Sequence, residues 1–349
     1  MNLKEIFNYA VANEASDIHL LAGLPPTIRI DGKLINVNKK AITKNDLEQN
    51  VFSMLTNDQR KIFISTKELD FSYEVNNFRF RVNLHYEKNN VGLAARIIKK
   101  QVPTMEEIGM PKIIYDLINL QQGLILVTGP TGCGKSTSLA AMIDSINTNK
   151  NCNIITLEDP IEYLFKPKNS IISQRQLGSD MLSFSNGLKH VLRQDPDVIM
   201  VGEMRDLETI AITITLAETG HLVLATLHTY SAAQTVDRII DIFPPYQQGQ
   251  IRVQLSMTLA GVISQRLLPK NKGGRVAARE VLINNAAVAN LIRENKISQI
   301  KTVIETSTKD GMISLDQDIK ELYKNGLISR DVAQSQMVNP QLLNKFGLI

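Results

Sequence analysis

The chain has 349 residues, 43% hydrophobic and 21% charged, a balance that excludes a disordered or fibrous chain and fits about two domains of ~150 residues. Its net charge of +4 comes from residues 1–100, which hold 15 basic and 11 acidic side chains; with no Trp, that mild excess argues against a nucleic-acid partner. No run approaches the ~18 apolar residues of a membrane span, and no basic-then-apolar leader opens the chain, so a cytoplasmic protein without a transmembrane segment is expected.

The first hundred residues read as mixed α and β. Residues 3–15 form a candidate helix. Residues 27–37 alternate (Ile28, Ile30, Leu34, Ile35, Val37) around an Asp31-Gly32 turn, which predicts a hairpin. Residues 43–63 read as one helix. Strands follow at 69–75 and 78–86, joined by an Asn76-Asn77 turn, and at 91–98. The stretch from Lys99 to Thr104 breaks the pattern, and the linker is placed at 101–106.

From 107 onward strands and helices alternate. The short apolar runs 124–127, 154–157, 198–201 and 222–227 fit strands buried on both faces of a mainly parallel sheet. Residues 185–193 are amphipathic and stop before Asp195-Pro196. Residues 209–218 fit both periods, and pattern alone leans to strand. Residues 107–274 are expected to be one α/β core, and 275–349 a helical appendage.

The densest chemical signal is Gly129-Pro130-Thr131-Gly132-Cys133-Gly134-Lys135-Ser136-Thr137. It follows an apolar run and precedes a segment in which Leu139, Met142, Ile143 and Ile146 recur at helical spacing. Strand, glycine loop and helix together make a phosphate site. Glycines let backbone N–H groups converge on phosphate oxygens, and the helix start adds its positive dipole end. Lys135 can reach the outer phosphates, and the Ser136 hydroxyl can ligate Mg²⁺. Cys133 inside this loop argues against a disulfide with Cys152, and two cysteines cannot make a four-ligand zinc site.

Hydrolysis needs more than a loop. Asp197–Glu203 reads as a strand ending in an acid, which puts Glu203 where a carboxylate can orient water. Thr156-Leu157-Glu158-Asp159-Pro160-Ile161-Glu162 is a second strand end, with Glu158 best placed to face a metal. Asp159 could equally open a turn. His228 lies at the ligand end of an apolar strand and can sense the terminal phosphate or polarise water. His221, at the other end, reads as a structural hydrogen-bonding group. Arg79 and Arg81 alternate with Phe80 and Val82, and Arg96 lies on the next strand; guanidinium groups suit a polyphosphate.

These boxes, with Ala15-Ser16-Asp17-Ile18-His19-Leu20 and Gly23-Leu24-Pro25-Pro26, resemble the secretion-type ATPases of the RecA-like superfamily, and most closely the PilT family of type IV pilus retraction ATPases. Acidic box (158–162), Gly-Glu-Met-Arg-Asp (202–206) and histidine box (217–229) occur in the family's order. The resemblance implies a RecA-like phosphate-loop ATPase domain with an N-terminal PAS-like α+β domain and a C-terminal helical region. It implies a homo-hexamer using ATP and Mg²⁺, with Glu203 as catalytic base, Glu158 working with Mg²⁺ through water and His228 at the terminal phosphate. It implies that Arg81 and Arg96 close over the phosphates, and it turns residues 209–218 into a helix. The expected partner is a pilus base platform protein at the inner face of the membrane, and the expected output is twitching motility.

Two departures bear on that resemblance. Ala287-Val288-Ala289-Asn290-Leu291-Ile292-Arg293-Glu294 matches the retraction motif except at Val288 and Ala289, the latter replacing an arginine. Pilus-extension and type II secretion ATPases share the core but usually add an N-terminal region and a tetracysteine element. With two cysteines and a start at the PAS-like domain, retraction is favoured.

Overall fold

The structure is a computed structural model, and it describes residues 2–343 apart from Asp31, Asn77, Lys99 and Lys100. Asp31 and Asn77, one residue of each predicted turn, and the lysines Lys99 and Lys100 therefore lie outside the described residues. In chain order the elements are α1 (Leu3–Ala12), β1 (Asp17–Leu21), β2 (Thr27–Ile30), β3 (Lys33–Asn36), α2 (Lys44–Met54), α3 (Asn57–Thr66), β4 (Glu68–Val75), β5 (Phe78–Glu87) and β6 (Asn90–Ile98). There follow α4 (Ile113–Leu117), β7 (Gly123–Thr128), α5 (Lys135–Asn149), β8 (Asn153–Glu158), β9 (Ile171–Gln176), α6 (Phe184–Val191), β10 (Val198–Val201), α7 (Leu207–Glu218), β11 (Leu222–Leu227), α8 (Ala232–Asp241) and α9 (Pro245–Thr258). The last are β12 (Leu259–Pro269), β13 (Arg275–Ile283), α10 (Ala286–Arg293), α11 (Ile300–Thr306), α12 (Leu315–Lys324) and α13 (Arg330–Gln336). The chain divides into two units, Met1–Gln101 with Glu162–Leu164, and Val102–Ile161 with Phe165–Ile349.

In the first unit six strands pair antiparallel among the described residues, in the order β3-β2-β1-β6-β5-β4. Strand alternation sends Ile18, Leu20, Phe80, Val82, Leu84 and Leu93 into a core with Phe7 and Phe63. The Phe7 ring meets Phe80 edge-on at 4.5 Å between centroids, a favoured aromatic geometry. The helix expected over 43–63 is two. Thr56 caps a new helix, its hydroxyl accepting from Gln59 N while the Gln59 side chain accepts from Thr56 N. That reciprocal cap satisfies two otherwise orphaned donors, so the chain restarts there.

The second unit is a seven-stranded sheet among the described residues, ordered β13-β12-β7-β11-β10-β8-β9. Strands β9 through β12 run parallel, and β13 is antiparallel to β12. The four apolar runs are the central strands, and every residue of β7, β10 and β11 is buried. Residues 209–218 are helical, within α7. Asp206 caps it, accepting from Thr209 N at 2.8 Å, and Ile210, Ile214 and Ala217 face the core. Residues 275–283, expected in the helical appendage, are instead strand β13. Strands β9 and β12 had no signal in the apolar runs. Both carry polar residues on faces that the tertiary structure buries, among them Gln176, Ser264 and Gln265.

Among the described residues no helix is long and apolar enough to cross a membrane.

In the first unit Asp17 on β1 pairs with Arg96 on β6, Nε to Oδ1 at 2.9 Å. Burial pushes the Asp17 carboxyl up, but hydrogen bonds from Ser16 and Arg96 and the nearby positive charge outweigh it, and the net shift is downward. A carboxyl lowered on folding stabilises the fold above its unfolded value near ~3.9, and that contribution is lost as pH falls through the folded value. Amide exchange in β1 and β6 of the full chain, followed from neutral pH to about 3, should therefore lose protection more steeply than in Asp17→Asn. Equal slopes would exclude this linkage.

Candidate functional site

The parallel strand order sets β7, β11, β10 and β8 side by side, so the segments leaving their C-terminal ends lie in a row. Open parallel sheets bind ligands there. The row carries the glycine loop after β7, His228 after β11, Glu203 after β10 and Glu158 at the end of β8.

The loop's shape depends on glycine. Gly129, Gly132 and Gly134 have φ of +141°, +77° and +90°, a region that L side chains avoid. A Cβ on Gly129 would overlap the Gln265 carbonyl and stand 2.7 Å from Cys133 Sγ. Helix α5 begins at Lys135 and buries Leu139, Met142, Ile143 and Ile146. Ser136 sits half-buried in its first turn. Lys135 is 9% exposed, and its ammonium donates to the carbonyls of Gly129 at 2.8 Å and Pro130 at 3.2 Å. Cys133 is buried and free, and burial pushes its thiol up, away from the reactive thiolate.

Lys135 also lies 3.5 Å from His228 Nδ1, and His228 Nε2 is 3.0 Å from Glu203 Oε1. A proton on Nε2 satisfies both contacts, with Nδ1 accepting from the ammonium and Nε2 donating to the carboxylate. The structure thus links Lys135, His228 and Glu203 directly. Glu158 is 6% exposed, and its Oε1 accepts from Thr156 Oγ1 at 2.7 Å and Gln174 Nε2 at 3.0 Å. Gly202 ties the two acidic strand ends together. Its N–H donates to Leu157 O at 2.8 Å, and a Cβ there would lie 3.3 Å from Glu158 Cα.

Thr226 Oγ1 donates to Gly202 O at 2.5 Å, fixing the end of β11 to the Glu203 segment. His221 Nδ1 lies 3.0 Å from Leu216 O and 3.2 Å from Thr219 Oγ1, a structural post at the far end of the strand.

Arg81 and Arg96 belong to the first unit, where they are direct partners across β5 and β6. Arg81 is exposed, and Arg96 holds Asp17.

Two residues had no assigned role in the sequence. Arg205 Nε and Nη2 each stand 2.9 Å from Glu203 Oε2, and its Nη1 is 3.2 Å from Asp159 Oδ2. Burial works against its charge, but Glu203 and Asp159 outweigh that and raise its pKa. The signal was present: Arg205 stands inside the Gly-Glu-Met-Arg-Asp box. Gln265, on β12, donates from Nε2 to Cys133 O at 2.9 Å and accepts from Ser138 Oγ at 2.9 Å. Beside it Ser264 Oγ meets Thr128 Oγ1 at 2.8 Å. No local signal marked this pair, because their partners are more than a hundred residues away.

A model of the type II/IV secretion system proteins matches residues 1–325. The chain belongs to that family. It is 45% identical to the type IV pilus retraction ATPase PilT of Pseudomonas aeruginosa, over 98% of this chain and 99% of that one. It is also 45% identical to a twitching motility protein of Neisseria gonorrhoeae, over 93% of this chain and 87% of that one. Among solved structures, the pilus retraction motor PilT with bound ADP superposes with a TM-score of 0.92 at 45% identity, covering 99% of this chain and 100% of that one. Family membership fits the α/β second unit with its phosphate loop.

Gly129→Ala should destabilise the second unit by about 2–3 kcal/mol, because the added methyl meets a backbone carbonyl at a φ that disfavours it. Thermal or denaturant unfolding checks this, and an unshifted transition would contradict the packing described.

Proposed function

We propose that this chain is an Mg²⁺-dependent ATPase that drives type IV pilus retraction, working as a homo-hexamer. The observation that carries the reading is the contact series Lys135–His228–Glu203, which joins a phosphate loop to a carboxylate. Its support from relatives is identity: 45% to PilT, against 34% to a type II secretion protein E of the same organism. That contrast favours retraction over type II secretion.

The residues divide the work by chemistry. The loop amides and Lys135 bind the triphosphate and hold it against the start of α5. On binding, the Lys135 ammonium exchanges the Gly129 and Pro130 carbonyls for phosphate oxygens, which carry full charge. Glu203 orients the attacking water and accepts its proton as the water oxygen bonds to the terminal phosphorus and the bond from that phosphorus to the bridging oxygen breaks, leaving ADP and phosphate. His228 holds one oxygen of that carboxylate and reports the terminal phosphate to β11. The Ser136 hydroxyl and the Glu158 carboxylate are hard oxygen donors of the kind Mg²⁺ prefers, Glu158 through water. Bound there, the ion supplies charge neutralisation at the phosphates.

In this reading residues 1–100 form the PAS-like domain, whose Arg81 and Arg96 close over the nucleotide. Residues 107–274, extended through β13, form the RecA-like core. Hydrolysis releases the arginines, and the resulting motion acts on the platform protein of the pilus base, with the chain held peripherally on the cytoplasmic side of the membrane. In the C-terminal motif Ile292 is buried and anchors α10, while Arg293 is exposed and reaches Ser256 Oγ at 3.4 Å. Leu291 and Arg293 are therefore the motif's candidates for coupling to the pilus.

Purified Glu203→Gln and Lys135→Ala should each lose about 100-fold or more in kcat while unfolding at the wild-type temperature. Near-wild-type turnover by Glu203→Gln would remove its assigned role. The Arg81→Ala/Arg96→Ala double variant should retain nucleotide binding but lose turnover. Deleting the gene should leave cells with excess surface pili and no twitching; lost pili would instead indicate an extension motor.

A further inference from the structure

Gln265, on β12, is 2% exposed. Its side-chain amide is fully directional here. The nitrogen donates to the carbonyl of Cys133, inside the glycine loop, and the oxygen accepts from Ser138, in the first turn of α5. Its own backbone carbonyl is the atom that a side chain at position 129 would strike, and its Nε2 stands 3.3 Å from the Cβ position of Gly134. One residue therefore touches the loop near its beginning, at its middle and at its end. The Cys133 carbonyl and the Gly134 N–H share one planar trans peptide and point opposite ways, so a carbonyl turned inward aims that N–H outward toward a ligand. A carbonyl turned inward needs a donor, and among the described hydrogen bonds Gln265 supplies it.

On the reading that this loop binds a nucleotide, we infer that Gln265 is a positioning residue for it, setting the loop's amides in their phosphate-binding orientation before ligand arrives. It acts through Cys133 and Ser138. The groups that carry the chemistry, Glu203 and His228, follow β10 and β11, and none of the described hydrogen bonds joins them to Gln265. Its loss should therefore weaken binding far more than turnover.

The test uses the full chain, with a fluorescent ADP analogue and Mg²⁺ for affinity and ATP for kinetics. Gln265→Glu keeps the shape and the Ser138 bond but puts an oxygen against the Cys133 carbonyl. Gln265→Met removes both bonds. Each should raise the Kd for the analogue and the KM for ATP roughly tenfold or more, the effect of one buried hydrogen bond unmade, with kcat at saturating ATP within about threefold of wild type. Ser138→Ala should give a smaller increase, and adding it to Gln265→Met should add little, because both act on the same contact. Should Gln265→Met fail to fold, Gln265→Glu and Ser138→Ala carry the test.

Folded variants that bind the analogue as wild type does would overturn the inference. So would a kcat loss as large as the loss of affinity. A wild-type chain that bound no analogue would instead overturn the nucleotide reading itself, and the two failures are distinct.

Discussion

A nearly buried ammonium must be answered by oxygen, and Lys135 is answered by the loop that precedes it. Its contacts to Gly129 and Pro130 draw two carbonyls inward. That turn of the backbone is available because Gly129 carries no Cβ where the Gln265 carbonyl passes. From Lys135 the contacts run through His228, Glu203 and Arg205 to Asp159. With the neutral His228 bridging the first two, the charged members Lys135, Glu203, Arg205 and Asp159 alternate in sign, so each is held by its neighbours. The ammonium is thereby kept at the loop mouth, where phosphate oxygens would be stronger partners than peptide carbonyls.

The sheet decides which groups can join that series. Parallel strands with every residue buried have no freedom to slip, since a one-residue shift would turn the ends of β7, β10 and β11 the wrong way. The acids and the histidine sit just beyond those ends. Gly202, pressed against Leu157 O and Glu158 Cα, lets the Glu203 segment pass close beside β8. Thr226 then fastens the same segment to β11. Packing of apolar runs thus fixes the spacing of polar groups that never enter the core.

The first unit solves a different problem with the same means. Helices cover one face of its antiparallel sheet, and alternation leaves Asp17, Arg81 and Arg96 on the other. Arg81 and Arg96 are cross-strand partners, so two like charges stand side by side. Of these two, Asp17 compensates Arg96, and it also stands 3.8 Å from Arg29 Nε. The exposed Arg81 keeps a charge suited to an anionic ligand.

Alone, the sequence determined the glycine loop, the helix behind it, the four central strands and the placement of Glu158, Glu203 and His228 at or just beyond strand ends. Each of these is written in a contiguous run whose period or glycine spacing reflects local backbone physics. It also placed two arginines on adjacent strands, since alternation is local. The family resemblance gave residues 209–218 as helix against their pattern; only the tertiary structure decided the break between α2 and α3 and the strand at 275–283. At each of these, local propensities were balanced, and caps or burial against distant elements tipped them. It alone exposed Gln265 and Ser264 as parts of the site. A buried polar side chain looks like an ordinary surface residue in sequence, because what makes it different is a partner that chain order does not reveal.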